Sequence, residues 1–155
     1  MATKINERPK ITIRQPDDIL GLLGKWKGRR QENFLIITLD GSHSVIKLHH
    51  VSKGLLNRTI VHPRECFWHA IKDYSAAVVF IHNHPSGNTK PSCEDDEITR
   101  RLCLAGKILG IHVLDHLIIT KTKDFYSYRE YGKIIEEFTD KEEDEFAKGL
   151  AAERS

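Results

Sequence analysis

Residues 81–102 read IHNHPSGNTKPSCEDDEITRRL, and everything else in the chain is placed by how this stretch is read. It closes an apolar run, Ala76 to His82, whose length and composition suit a buried strand. Side chains alternate along a strand with period two, so His82 and His84 project from one face, close enough for their imidazoles to share one ion. Pro85 stops the strand, and residues 85–92 form a loop of Pro, Ser, Gly and Asn. A helix follows from about Glu94 to Leu109, with Ile98, Leu102, Ala105 and Leu109 on one side and Gly110 as its stop.

Ser92-x-x-Asp95 fits the acidic relative of a capping box at the start of that helix, and acids in a first turn suit the helix dipole without any metal. An isolated H-x-H is also an ordinary polar strand ending. Taken together, the pair, the loop and the capping acid point further. Asp95 in the first turn can face the loop mouth and complete a His-His-Asp set. Three protein ligands with an open fourth position are the pattern of a catalytic zinc. Capping and ligation are compatible, because the oxygens of Ser92 and Asp95 have spare acceptor capacity.

Working outward, an upstream helix carries Ile19, Leu20, Leu22, Leu23 and Trp26, capped by Asp17 or Asp18 and ended by Gly28. FLIITL (34–39) is a buried strand, Asp40-Gly41 a hairpin signal and Ser44–His50 the return strand. A third strand is expected over Leu55–Val61. Pro63 starts a helix whose apolar face is Cys66, Phe67, Ala70 and Ile71. Ile111–Ile119 is a further strand, Phe125–Tyr128 a short one, and the chain from Tyr131 reads as a charged helical tail. Ile134, Ile135 and Phe138 can dock it, with the last residues frayed. This sets domain limits of 1–15 for a flexible lead-in, 16–132 for the domain and 133–155 for the tail. A meander followed by alternating strands and helices predicts a mixed α/β fold, a curved mixed sheet flanked by helices.

The chain has 155 residues, enough to bury a core, with 39% hydrophobic and 30% charged residues. A net charge of +2 makes no strong case for nucleic acid or an anionic membrane. The basic tract Lys25–Arg30 is the one feature pointing to phosphate. Three cysteines, Cys66, Cys93 and Cys103, form no C-x-x-C pair and suggest a reducing compartment. The longest apolar run is far too short to span a bilayer, and no signal peptide is apparent. A cytoplasmic location is expected.

His82-x-His84, seven residues, then Ser92-x-x-Asp95 resembles the JAMM motif of the MPN/JAB metalloproteases. VHPRE (61–65), IHNHPSG (81–87), Pro91-Ser92, the Asp115-His116 pair in VLDHLII and YSYRE (126–130) resemble the RadC-like branch of that family, over roughly residues 16–132. The resemblance implies a fold laid out like the cytidine deaminases, with Zn2+ as cofactor. It implies that His82, His84 and Asp95 are the metal ligands. Ser92 would stabilise the tetrahedral intermediate, and a glutamate before the first apolar strand would be the general base. The matching residue is Glu32, fifty positions from His82; Glu65 in VHPRE is its competitor. His112 and His116, four apart on one strand face, are either packed histidines or a support around the site. Trp26 and Trp68 read as core or groove packing. His49, His50 and His62 receive no metal role.

The family's fuller members carry an N-terminal helix-hairpin-helix module that the first fifteen residues do not supply. Two functions stand: a zinc hydrolase cleaving a peptide or isopeptide amide bond in a protein substrate, and a DNA-associated module, related to repair or recombination, with a structural or vestigial metal site. A nucleobase deaminase is disfavoured, because those enzymes use H-x-E with P-C-x-x-C. Oligomeric state is not legible.

Overall fold

The computed structural model describes residues 9–54 and 61–152. Five strands form one mixed sheet in the order β2-β1-β3-β4-β5. These are β1 (Glu32–Leu39), β2 (Val45–Gly54), β3 (Ala77–Asn83), β4 (His112–Ile119) and β5 (Phe125–Ser127). All pairs are antiparallel except β3 with β4, which are parallel and joined by a helical crossover, as a parallel pair requires. The fold class read from the sequence is therefore the one observed.

Alternation along β1 and β3 sends side chains to two different cores. Phe34, Ile36, Val78 and Phe80 meet Cys66, Phe67 and Ala70 of α3 (Pro63–Lys72) and Leu102, Cys103 and Ala105 of α4 (Cys93–Leu109). Leu35, Ile37, Val79 and Ile81 face the other way, onto Ile19 of α1 (Pro16–Leu20) and onto Leu23, which caps α2 (Gly24–Lys27). Covered on both faces, the middles of β1 and β3 need no polar side, which is why Phe34–Ile37 and Ala77–Ile81 are continuous apolar runs. Gly106 lets α4 lie directly on β4: a Cβ there would stand 2.6 Å from the Ile111 carbonyl oxygen. Gly110, at φ 70°, ends α4 in the left-handed conformation expected of a stop.

Several local expectations change. The single upstream helix is two short ones, and α1 is capped by Gln15, with Asp18 accepting hydrogen bonds from the amides of Arg14 and Gln15. The lead-in is not loose throughout. Thr12 bridges to Ser44, and Ile13 is buried. The third strand of the meander falls mostly outside the described residues. Ile71 is 55% exposed and does not share the buried face of α3. The tail is irregular over 131–139, where Ile134, Ile135 and Phe138 do pack on the core, and then forms a helix, α5 (Asp140–Ala152), instead of fraying. Phe146 packs on the same core, and Arg100–Glu142 and Lys107–Glu143 ion pairs tie α5 to α4.

Candidate metal centre

The two histidines leave the end of β3 as the period-two reading requires. Their Nε2 atoms lie 2.8 Å apart. Asp95 comes from the first turn of α4, and its Oδ1 lies 3.1 Å from His82 Nε2, its Oδ2 3.3 Å from His84 Nε2. Among the described residues, only these three offer ligand atoms of three His, Cys, Asp or Glu side chains all within 4.8 Å of one another, a grouping that could hold a metal ion. The capping box is present as well. Ser92 Oγ accepts from the Asp95 amide, and the Ser92 amide donates to Asp95 Oδ2. The cap aims the carboxylate, so the bland reading of S-x-x-D and the metal reading describe one conformation.

Burial works to raise the Asp95 pKa, but hydrogen bonds from His82 and His84 outweigh it and hold the carboxyl well below the usual range. His82 is pushed down by burial. Burial also opposes charge on His84, yet Asp95 and the Asn88 carbonyl outweigh it and raise the pKa of the ring. His84 Nδ1 lies 2.7 Å from the Asn88 carbonyl oxygen and must donate to it, which leaves Nε2 turned to the cluster.

Glu32 is the first residue of β1, and no local signal links it to the histidines. Antiparallel pairing does. Phe34 pairs with His82, and the same register carried two places further sets Glu32 opposite His84. Asn83, between the two histidines and buried, accepts from the Asn33 amide at 2.7 Å and donates to the Gln31 carbonyl at 3.0 Å, gripping the backbone on both sides of Glu32. Burial pushes the Glu32 carboxyl up to about 7, moderated by His84 and reinforced by Asp95. Glu65, its competitor, lies in the first turn of α3 and lines a separate cavity of about 560 Å3 with Val51, Arg64, Trp68 and His69. The structure thus brings Glu32, and not Glu65, to the cluster. Ser92 is exposed at the loop end, and among the described residues its hydroxyl accepts from the Asp95 amide and donates to none.

His112 and His116 do not share a face. Val78 pairs with Val113 but Val79 with Asp115, so Leu114 is an extra residue in β4 and breaks the alternation between them. Val113 takes the face of His116, while His112 stays exposed near Glu136. His116 is buried, with its Nε2 2.8 Å from His82 Nδ1. Sequence reasoning missed Asn83 and Thr99; a polar residue inside an apolar strand and one on a buried helix face were the available signals. Of the tryptophans, Trp26 packs against the α1–α2 core, and Lys25 and Arg29 stand over its ring at 5.2 and 5.5 Å, so half the cations of the basic tract are engaged locally.

A profile of the RadC-like JAB domain matches residues 13–133. The chain belongs to the RadC-like JAB domain family. It is 52% identical over 119 residues to a UPF0758 protein of Methanospirillum hungatei, covering 76% of this chain and 53% of that one. It is 49% identical over 119 residues to one of Alkaliphilus metalliredigens (76% and 51%) and 43% identical over 128 residues to one of Clostridium perfringens (82% and 56%). The chain spans about half the length of these curated relatives. No helix among the described residues is long and apolar enough to cross a membrane.

Proposed function

We infer that this RadC-like JAB domain is a zinc-dependent hydrolase that cleaves an amide bond, peptide or isopeptide, in a protein or peptide substrate. The observation that carries the reading is the convergence of His82 Nε2, His84 Nε2 and the Asp95 carboxylate at a partly open strand end, with Glu32 beside them. Two imidazole nitrogens and one carboxylate are a donor set that suits zinc and leaves a position free. Bound there, zinc would lower the pKa of a water to about 7 and polarise a carbonyl.

The protein's own groups supply the rest. Glu32, with a pKa near 7, is suited to take a proton from the attacking water and deliver it to the leaving amine at neutral pH. Ser92 presents an uncommitted hydroxyl proton at the mouth of the loop, where it can stabilise developing negative charge on the carbonyl oxygen. Asn83 holds the strand that carries Glu32, and the Asn88 carbonyl holds the ring of the ligand His84, so neither side chain has to be ordered by the substrate.

Elemental analysis of wild type and His84→Ala tests the reading. About one zinc per chain, lost in the variant, is expected. A wild type that holds no zinc even after zinc is added back overturns it.

A further inference from the structure

Two hydrogen bonds orient the two histidines, and they differ. His84 rests on a loop carbonyl, which accepts and cannot donate, so its tautomer follows directly. His82 rests on another imidazole, His116, which can do either. The direction of that bond decides whether the His82 lone pair points into the cluster or away from it, and it is settled one step further out.

Thr99 Oγ1 lies 2.6 Å from the Asp95 carbonyl oxygen and 2.6 Å from His116 Nδ1. Two oxygens at that separation need a proton between them, and the carbonyl brings none. The Thr99 hydroxyl therefore donates to Asp95 O, as threonine commonly does one helical turn back. Its single proton is spent, so His116 Nδ1 must be the donor to Thr99. His116 is fully buried, with both ring nitrogens taken by Thr99 and His82 and no carboxylate on either, which keeps the ring neutral. Its Nε2 is then an acceptor, and the proton between the two rings belongs to His82 Nδ1.

The geometry points to Thr99 and His116 as a positioning pair that holds the ring proton of His82 on Nδ1, leaving the Nε2 lone pair turned toward His84 and Asp95 and open to a metal ion. The pair is itself held from outside. Tyr128 stacks on His116 at 5.0 Å with planes 11° apart, and its hydroxyl donates to Asp96. The Asp115 carboxylate gathers the amides of His116 and Arg129 and the Ser127 hydroxyl, which binds the turn carrying Tyr128 to β4. Residues outside a metal site that fix ligand tautomers typically change affinity about 10- to 100-fold when lost.

The inference rests on the metal reading above, and its test separates the two. Zinc affinity is measured by competition with a chromogenic chelator for the full chain, Thr99→Val and Thr99→Ser. Valine keeps the shape of threonine but removes the acceptor, freeing His116 to carry its proton on Nε2 and drive the His82 proton into the cluster. Affinity should fall about 10- to 100-fold in Thr99→Val and be restored in Thr99→Ser. Two-bond 1H–15N spectra of the zinc-loaded wild type should show His82 and His116 both protonated at Nδ1, a readout that needs no variant and stands if Thr99→Val does not fold. A Thr99→Val protein that binds zinc as wild type does, a serine variant as weak as the valine one, or His116 protonated at Nε2 overturns the positioning role alone. A wild type that binds no zinc overturns the metal reading, and this role with it.

Discussion

Two places on the same face of the sheet bring two histidines to one aspartate. At the end of β3, His82, His84 and Asp95 turn their ligand atoms on one point. Further along, His49 of β2 and His69 of α3 meet Asp73, the C-cap of α3. There Asp73 Oδ2 accepts from His49 Nε2 and from Thr38 Oγ1, and His69 lays its ring against that of His49, with centroids 4.3 Å apart. His69 Nδ1 is buried without a hydrogen-bond partner among the described residues, and burial lowers the pKa of the ring. Stacking uses the faces of imidazoles, whereas ligation uses the lone pairs in their planes. The difference arises in the backbone. Consecutive same-face positions on one strand point two Nε2 atoms alike, while the strand histidine and the helix histidine meet ring against ring, with planes tilted by 31°. Residue types alone would not tell the two clusters apart.

The largest effects separate the clusters outright. Asp95→Asn should abolish zinc retention, while His69→Ala should leave about one zinc per chain by elemental analysis. Zinc lost from the His69 variant would break the comparison. Next in size, Glu32→Gln should keep its zinc and lose about 10²- to 10⁴-fold in turnover on any peptide or isopeptide that the wild type cleaves. Unchanged turnover would remove Glu32 from the chemistry and reopen the position to Glu65.

Smaller effects concern stability. Asp73→Ala removes a charged acceptor from His49 and Thr38 and should cost about 1–2 kcal/mol in denaturant unfolding at pH 7, with no change in zinc content. Burial works to raise the Asp73 pKa, but the His49 and Thr38 hydrogen bonds lower it below 3.8. Its contribution is therefore present above about pH 4 and lost as pH falls through the depressed value, so the variant should show a shallower acid limb. A wild-type and variant pair with parallel acid limbs would show the contact to be worth little.

The smallest effect is expected at Glu32, whose pKa in the folded chain is about 7 against an ordinary 4.5. A carboxyl raised in this way favours the folded state at low pH and loses that advantage as pH climbs from about 4.5 to about 7. Metal-stripped Glu32→Gln should accordingly gain a little thermal stability over metal-stripped wild type at pH 8 and none at pH 4. A constant difference across that range would mean the carboxyl is not desolvated.

Much of the site was legible because its signals are local. The H-x-H spacing, the Ser92–Asp95 cap and the Gly110 stop each depend on residues a turn or a strand step apart, and all three stand as read. The expectation that His112 and His116 share a face failed because one extra residue, Leu114, enters β4 opposite β3, and strand periodicity carries no mark of a bulge. The tail is helical as expected, but the fraying expected of its end is replaced by docking: Phe146 and the pairs Arg100–Glu142 and Lys107–Glu143 hold α5 on a helix some forty residues earlier, a relation no local pattern marks.

By itself the sequence determined the elements, the apolar strands that need cover on both faces, and the two histidines and capping acid that share an end of them. Only the tertiary structure set Glu32 beside the histidines and Glu65 away from them, put His116 behind His82 and closed the chain of hydrogen bonds through Thr99. Those relations depend on strand order and register, which follow from how the two cores pack and not from any run of neighbouring residues.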